Sequence, residues 1–201
     1  MAYRVTAQGR ARRLELERRV RRAAHDVVMK KGFEDARLGD VARAAGVSPA
    51  AIYRFAPSRD ELLADVLRRV SAKERDAFRR MLSVHANVRD AIRAATHQFV
   101  VRAYTGNAIA GVLLSGPAAP AVDRARAETR ALLADVIHDR LGDRVRAIAI
   151  VGALLAMLAD ALEAPSRERE KRATEISSMC EELASRPGDN GGCVFAIDCP
   201  W

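Results

Sequence analysis

The sequence predicts an all-α protein, with a compact N-terminal set of short helices joined to a longer C-terminal helical body. Three observations carry that reading. Apolar residues recur at three- and four-residue steps through most of the 201 positions, the period of helices that bury one face. The chain is 49% hydrophobic yet only 4% aromatic, and no convincing two-residue alternation appears before its last dozen positions. Glycine, proline and serine breaks cut the chain into short pieces between residues 32 and 58, whereas long uninterrupted helical stretches occur elsewhere.

Taken in order, residues 1–11 form a flexible basic arm. A first amphipathic helix is predicted over 12–31 from Leu16, Val20, Ala23, Ala24, Val27 and Val28, and Gly32 closes it with a left-handed cap. A short second helix, Leu38–Ala45, stops at Gly46. Ser48 then offers its hydroxyl to the free N–H groups of a third helix, with Pro49 at the first position, where a missing N–H costs nothing. That piece, 49–55, ends before Pro57. Ser58 caps a fourth, long helix whose first turn holds Arg59, Asp60 and Glu61 and which runs to about residue 82. Further helices are predicted over 87–104, 107–115, 121–141, 143–163 and 166–185, with breaks at Gly106, Gly116, Pro117, Gly142 and Pro165. From Pro187 the chain reads PGDNGGCVFAIDCPW, a turn-rich, loosely held tail in which 194–197 suits a short strand or a docking segment. The implied domains are 12–65 and 66–186, flanked by the arm and the tail 187–201.

Charge separates the same two parts. The net charge is +8, and residues 1–60 hold 14 basic and 7 acidic side chains against 20 and 19 in the rest. A polyanion is drawn to the N-terminal third with salt-sensitive affinity. Residues 1–22 lack the apolar stretch of a signal peptide. The longest apolar run, 147–159, falls short of the roughly 20 residues that span a bilayer. Three cysteines, Cys180, Cys193 and Cys199, make no disulfide framework. The expected setting is the cytoplasm, without a membrane or a cofactor.

The crowded breaks make sense if the third helix is a compact, rigid probe. Two short helices crossing steeply need a small residue where they touch, a turn that tolerates positive φ, and a branched apolar residue as a lock. Ala42, Gly46 and Ile52 supply these, and Val41 and Phe55 complete the small core. The result is a helix-turn-helix. Its second helix presents Pro49, Ala50 and Ala51, small enough to let the helix end enter a major groove roughly 12 Å wide. Ser48 opens that helix, Tyr53 and Arg54 face outward toward a sugar-phosphate backbone, and Arg59 is placed to grip a further phosphate.

With these residues in place, the segment resembles the TetR family of bacterial transcriptional regulators. Gly32-Phe33 matches the end of the family's first helix, and Asp40-Val41-Ala42 through Ala45-Gly46-Val47-Ser48 matches its D-[IV]-A-x-x-A-G-V-S pattern. Tyr53 and then Pro57-Ser58-Arg59-Asp60-Glu61-Leu62 follow, where the family has P-S-K-E-x-L. The match covers about residues 10–65. Departures are Ala36 and Arg37 where threonine is common, with Arg37 left to serve a phosphate by charge; Gly39 for a polar residue; Phe55-Ala56 for a His or Tyr followed by Phe; and Arg59 for lysine.

The resemblance implies a C-terminal helical domain that binds a small molecule and pairs two protomers. A ligand preferring one position of the helix over 58–81 would change the spacing of the two recognition helices and so the affinity for DNA. The region 143–163 supports pairing independently. It is apolar all round, with one stripe at Ile148, Val151, Leu155, Leu158 and Leu162 and a small-residue stripe at Ala149, Gly152, Ala156 and Ala159. Ile148, Gly152, Leu155, Ala156 and Ala159 are the expected dimer contacts, so a homodimer would read palindromic double-stranded DNA. Thr96 and Thr129 interrupt apolar faces, and with His97, Phe99, Tyr104 and Met157 they are candidates to line the pocket of an apolar or aromatic small-molecule effector. The rival reading is a helical enzyme or a small-molecule-binding protein with no DNA role. The sequence contains no phosphate loop, nucleophile elbow or clustered metal ligands to support an enzyme.

Overall fold

The computed structural model describes residues 7–105, 114 and 119–185. Every regular element among them is helical: α1 (Ala7–Asp35), α2 (Leu38–Ala45), α3 (Pro49–Ile52), α4 (Arg59–Val84), α5 (Val88–Tyr104), α6 (Pro120–Leu141), α7 (Arg144–Leu162), a 3₁₀ turn (Ser166–Glu168) and α8 (Arg169–Ala184). The described residues fall into two compact units, 7–73 with 114 and 119–129, and 74–105 with 130–185.

In the first unit, Val20, Ala24 and Val28 of α1 meet Val41, Ala42 and Ala45 of α2, Ile52 of α3, Leu63, Leu67 and Val70 of α4, and Ala121, Val122 and Ala125 of α6. Ile52 is fully enclosed, so its truncation to alanine costs on the order of 2–5 kcal/mol. The helix ends are set by specific groups. Gly32 leaves helical geometry at φ 80°, and Gly46 takes the left-handed conformation at φ 63° that ends α2. Ser48 accepts from the Ala51 N–H at 3.3 Å, and Ser58 accepts from the Glu61 N–H at 3.1 Å.

The second unit packs α5 against α8, and α7 against α8. Ile92, Ile137, Ile150, Leu154, Leu158 and Ile176 are fully buried, and Phe78 meets the Phe99 ring edge-on at 6.1 Å. Asn87 caps α5, and Asp143 caps α7 by accepting from the Arg146 N–H at 3.0 Å.

Helix α1 begins at Ala7, five residues before the predicted start and inside the stretch read as an arm. The third helix proper is confined to Pro49–Ile52, with turns after it rather than helix to 55. The helix predicted over 107–115 lies outside the described residues except for Leu114, as do the tail from Pro187, Cys193 and Cys199.

Candidate nucleic-acid interface

The tip of α3 is exposed at Pro49 and Ala50 and half-buried at Ala51. Ile52 turns inward, which leaves Tyr53, 57% exposed, and Arg54 on the open side. This division follows from helical spacing on so short an element: one residue anchors and its neighbours face out. Val41 and Ala42 are buried beneath, and Phe55 packs partly against the same core.

Two arginines hold this motif in shape. Arg19 on α1 donates to the carbonyls of Ala45 at 2.7 Å and Gly46 at 3.4 Å, satisfying acceptors left open at the end of α2. Arg59 at the start of α4 donates to the carbonyls of Phe33 at 2.5 Å, Glu34 at 2.7 Å and Ala36 at 2.8 Å, where α1 ends. It also pairs with Asp60 at 3.1 Å. Arg59, expected from the sequence to grip a phosphate, is thus engaged within its own domain. Its guanidinium is occupied by backbone carbonyls, so it positions α4 against the end of α1. Arg37 is exposed and stands at the N-cap of α2 without a side-chain cap bond. In the first turn of that helix, Asp40 accepts from Lys31 at 2.8 Å and lies 3.3 Å from Arg43. The Lys31 hydrogen bond holds the Asp40 carboxyl below its ordinary range.

Residues 20–66 match the family model of the bacterial regulatory proteins, tetR family. The chain carries a TetR-family DNA-binding domain. The matched segment contains both crossed helices, Arg59 and the exposed α3 tip. No curated protein matches the chain. Solved structures match well beyond the domain. A tetR-family transcriptional regulator from Streptomyces coelicolor is 14% identical at TM-score 0.68, covering 84% of this chain and 80% of that one. The multidrug binding protein EbrR, complexed with imidazole, is 21% identical at TM-score 0.66, over 86% and 97%. RolR, complexed with the ligand resorcinol, is 19% identical at TM-score 0.61, over 88% and 96%. The TetR-regulator fold thus extends through most of the chain, and the protein is a DNA-binding transcriptional regulator.

The residues singled out for a ligand pocket are not brought together in one described cavity. Thr96 is fully buried but donates to Ile92 at 2.7 Å and Arg93 at 3.1 Å, and Thr129 donates to Ala125 at 2.8 Å. Both hydroxyls are satisfied by their own helices. Phe99 packs on Phe78. His97 Nε2 stands 3.3 Å from a Glu170 carboxylate oxygen. The Arg169 guanidinium lies 5.3 Å from the Tyr104 ring centre, and burial raises the Tyr104 pKa. Met157 lines a cavity of about 300 Å³ with Ala156, Asp160, Arg172, Glu175 and Ile176.

Helix α7 shows two contrasting sides. Ala147, Ile150, Val151, Leu154, Leu158 and Ala161 are buried, whereas Val145, Ile148, Ala149, Gly152, Ala156 and Ala159 are exposed. Leu155, also expected at the pairing surface, is 6% exposed within its own protomer. It lies four residues after Val151 and three before Leu158, so it shares their inward side. Cys180 is enclosed, and burial pushes its thiol up to about 12.

Proposed function

We propose that the protein is a repressor that binds a palindromic operator as a homodimer in the cytoplasm and whose DNA affinity a small-molecule effector alters. The observation that carries the reading is the exposed Pro49–Ala50 tip standing over the enclosed Ile52. An unobstructed alanine-tipped helix end is suited to a major groove, with Ser48, Ala51, Tyr53 and Arg54 around it for sugar-phosphate and base-edge contacts. Arg37, exposed at the start of α2, adds charge on a phosphate.

One recognition helix reads few bases, and pairing supplies the second. The exposed stripe Ile148, Gly152, Ala156 and Ala159 supports pairing, since small residues let a partner helix approach closely. RolR with resorcinol and EbrR with imidazole support an effector-binding body. An apolar or aromatic effector suits helices with so few polar side chains inside them. Helices α4 and α6 each contribute residues to both units and carry the coupling. The protein acts by linked binding equilibria, without turnover.

Genome-wide recovery of DNA fragments bound by the full chain tests this reading. The expected result is an enriched palindrome with half-sites about 34–36 Å apart, or a multiple of that spacing. Fragments without a shared motif would overturn it.

A further inference from the structure

Helix α1 runs well beyond the core that it helps to build. Its first fully buried residue is Val20, and from Gln8 to Arg19 only Leu16 and Glu17 are even partly covered. At about 1.5 Å per residue, the stretch from Ala7 to Arg19 is about 18 Å of helix with little packing to support it. Such a segment is sustained by another role or another partner.

Its charge indicates the partner. Glu17 pairs with Arg21, and Glu15 lies 3.8 Å from Arg18. Arg10, Arg12, Arg13 and Arg22 are exposed, and their side chains make no hydrogen bond or ion pair among the described residues. The orientation is fixed by Arg19, whose guanidinium reaches the α2–α3 turn at Ala45 and Gly46. A residue seven positions earlier on a helix lies almost on the same face, and one three positions later lies close to it. Arg12 and Arg22 therefore flank Arg19 on the side of α1 that carries the helix-turn-helix, whereas Arg10 lies on the opposite side. Glu15, on the Arg12 side, is held by Arg18.

We propose that the projecting part of α1 is a second DNA-binding element, with Arg12 and Arg22 contacting phosphates that flank the stretch read by α3. The proposal rests on the DNA-binding reading of α3 and extends that interface continuously along α1. Arg12 lies about 10 Å along the helix from Arg19, roughly three phosphates of one strand. These contacts add affinity and footprint length but carry no sequence preference.

The test uses the full chain and mixed-sequence duplex DNA, titrated with salt. The Arg12→Gln/Arg22→Gln double variant is expected to reduce the slope of log affinity against log salt by about two units, at about 0.9 per phosphate. Arg10→Gln, matched in exposure but on the far side, is expected to leave the slope unchanged. Equal losses from Arg10→Gln and from either single substitution would overturn the proposal in favour of diffuse attraction. An unchanged slope in the double variant, while Tyr53→Ala still weakens binding, would overturn it and leave the α3 reading intact. If wild type shows no DNA binding, both fall. Circular dichroism checks that the variants fold, as expected for residues outside the core.

Discussion

Arg59 donates its Nε–H to the carbonyl of Ala36, 23 positions earlier, at 2.8 Å. The same guanidinium reaches Phe33 and Glu34, so one side chain serves three acceptors that the end of α1 leaves open. Arg59→Ala should therefore destabilise the folded domain by about 1.5–3 kcal/mol, the range for hydrogen bonds to a charged group. Arg59→Lys should recover only part of this, because a single ammonium does not reproduce a planar fork. Urea unfolding of the two variants measures both losses. A normal midpoint combined with a reduced salt slope of DNA binding would return Arg59 to the phosphates.

Tyr53 lies on the open side of α3, and its removal leaves no buried group unpaired. Tyr53→Ala should keep stability within about 0.5 kcal/mol of wild type. It should weaken binding to all DNA sequences alike, as loss of a backbone contact does. Ala50→Glu should be more severe, because it sets a bulky anion at the point of groove entry. Anisotropy titrations with specific and mixed-sequence duplexes check both, and wild-type affinity in Ala50→Glu would remove the α3 tip from the interface.

The helix-turn-helix was legible because its signals are local. Gly46 at φ 63°, the Ser48 cap and Pro49 at the first position each act within four residues of where they stand. The roles of Arg19 and Arg59 were not legible, since they depend on carbonyls 23 to 27 positions away. No spacing rule connects an arginine with a distant helix end. Thr96 and Thr129 carry a weaker signal for the opposite reason. A hydroxyl on an apolar face reads as a polar probe, yet the carbonyl four residues before it is always within reach.

Acid should expose the Lys31–Asp40 bond. Asp40 has its pKa lowered in the folded state, chiefly by the Lys31 hydrogen bond. A depressed carboxyl stabilises the fold above its unfolded value, and that stabilisation is lost as pH falls through the lower folded value. The window therefore begins near the ordinary aspartate value of 3.8 and extends below it. Lys31→Met should flatten the fall in stability there and change its course little near neutrality. Denaturant midpoints across the acid range check this, and parallel curves for variant and wild type would refute it.

Gly152 separates pairing from folding. A Cβ built there meets nothing within 4 Å inside the protomer, and the residue is exposed on α7 between Ile148 and Ala156. Gly152→Glu therefore leaves the protomer core untouched, apart from a helix propensity that favours the larger residue. In the proposed dimer, the same change puts a carboxylate where two helices approach closely and leaves it without a partner, a penalty of several kcal/mol. The expected outcome is a monomer in size-exclusion chromatography with native helical content by circular dichroism. Operator affinity should fall as the second recognition helix is lost. Val145, 77% exposed near the start of α7, provides a milder companion: Val145→Lys should weaken pairing less if the contact centres on Gly152. A Gly152→Glu protein that still elutes as a dimer would place the pairing surface away from this stripe.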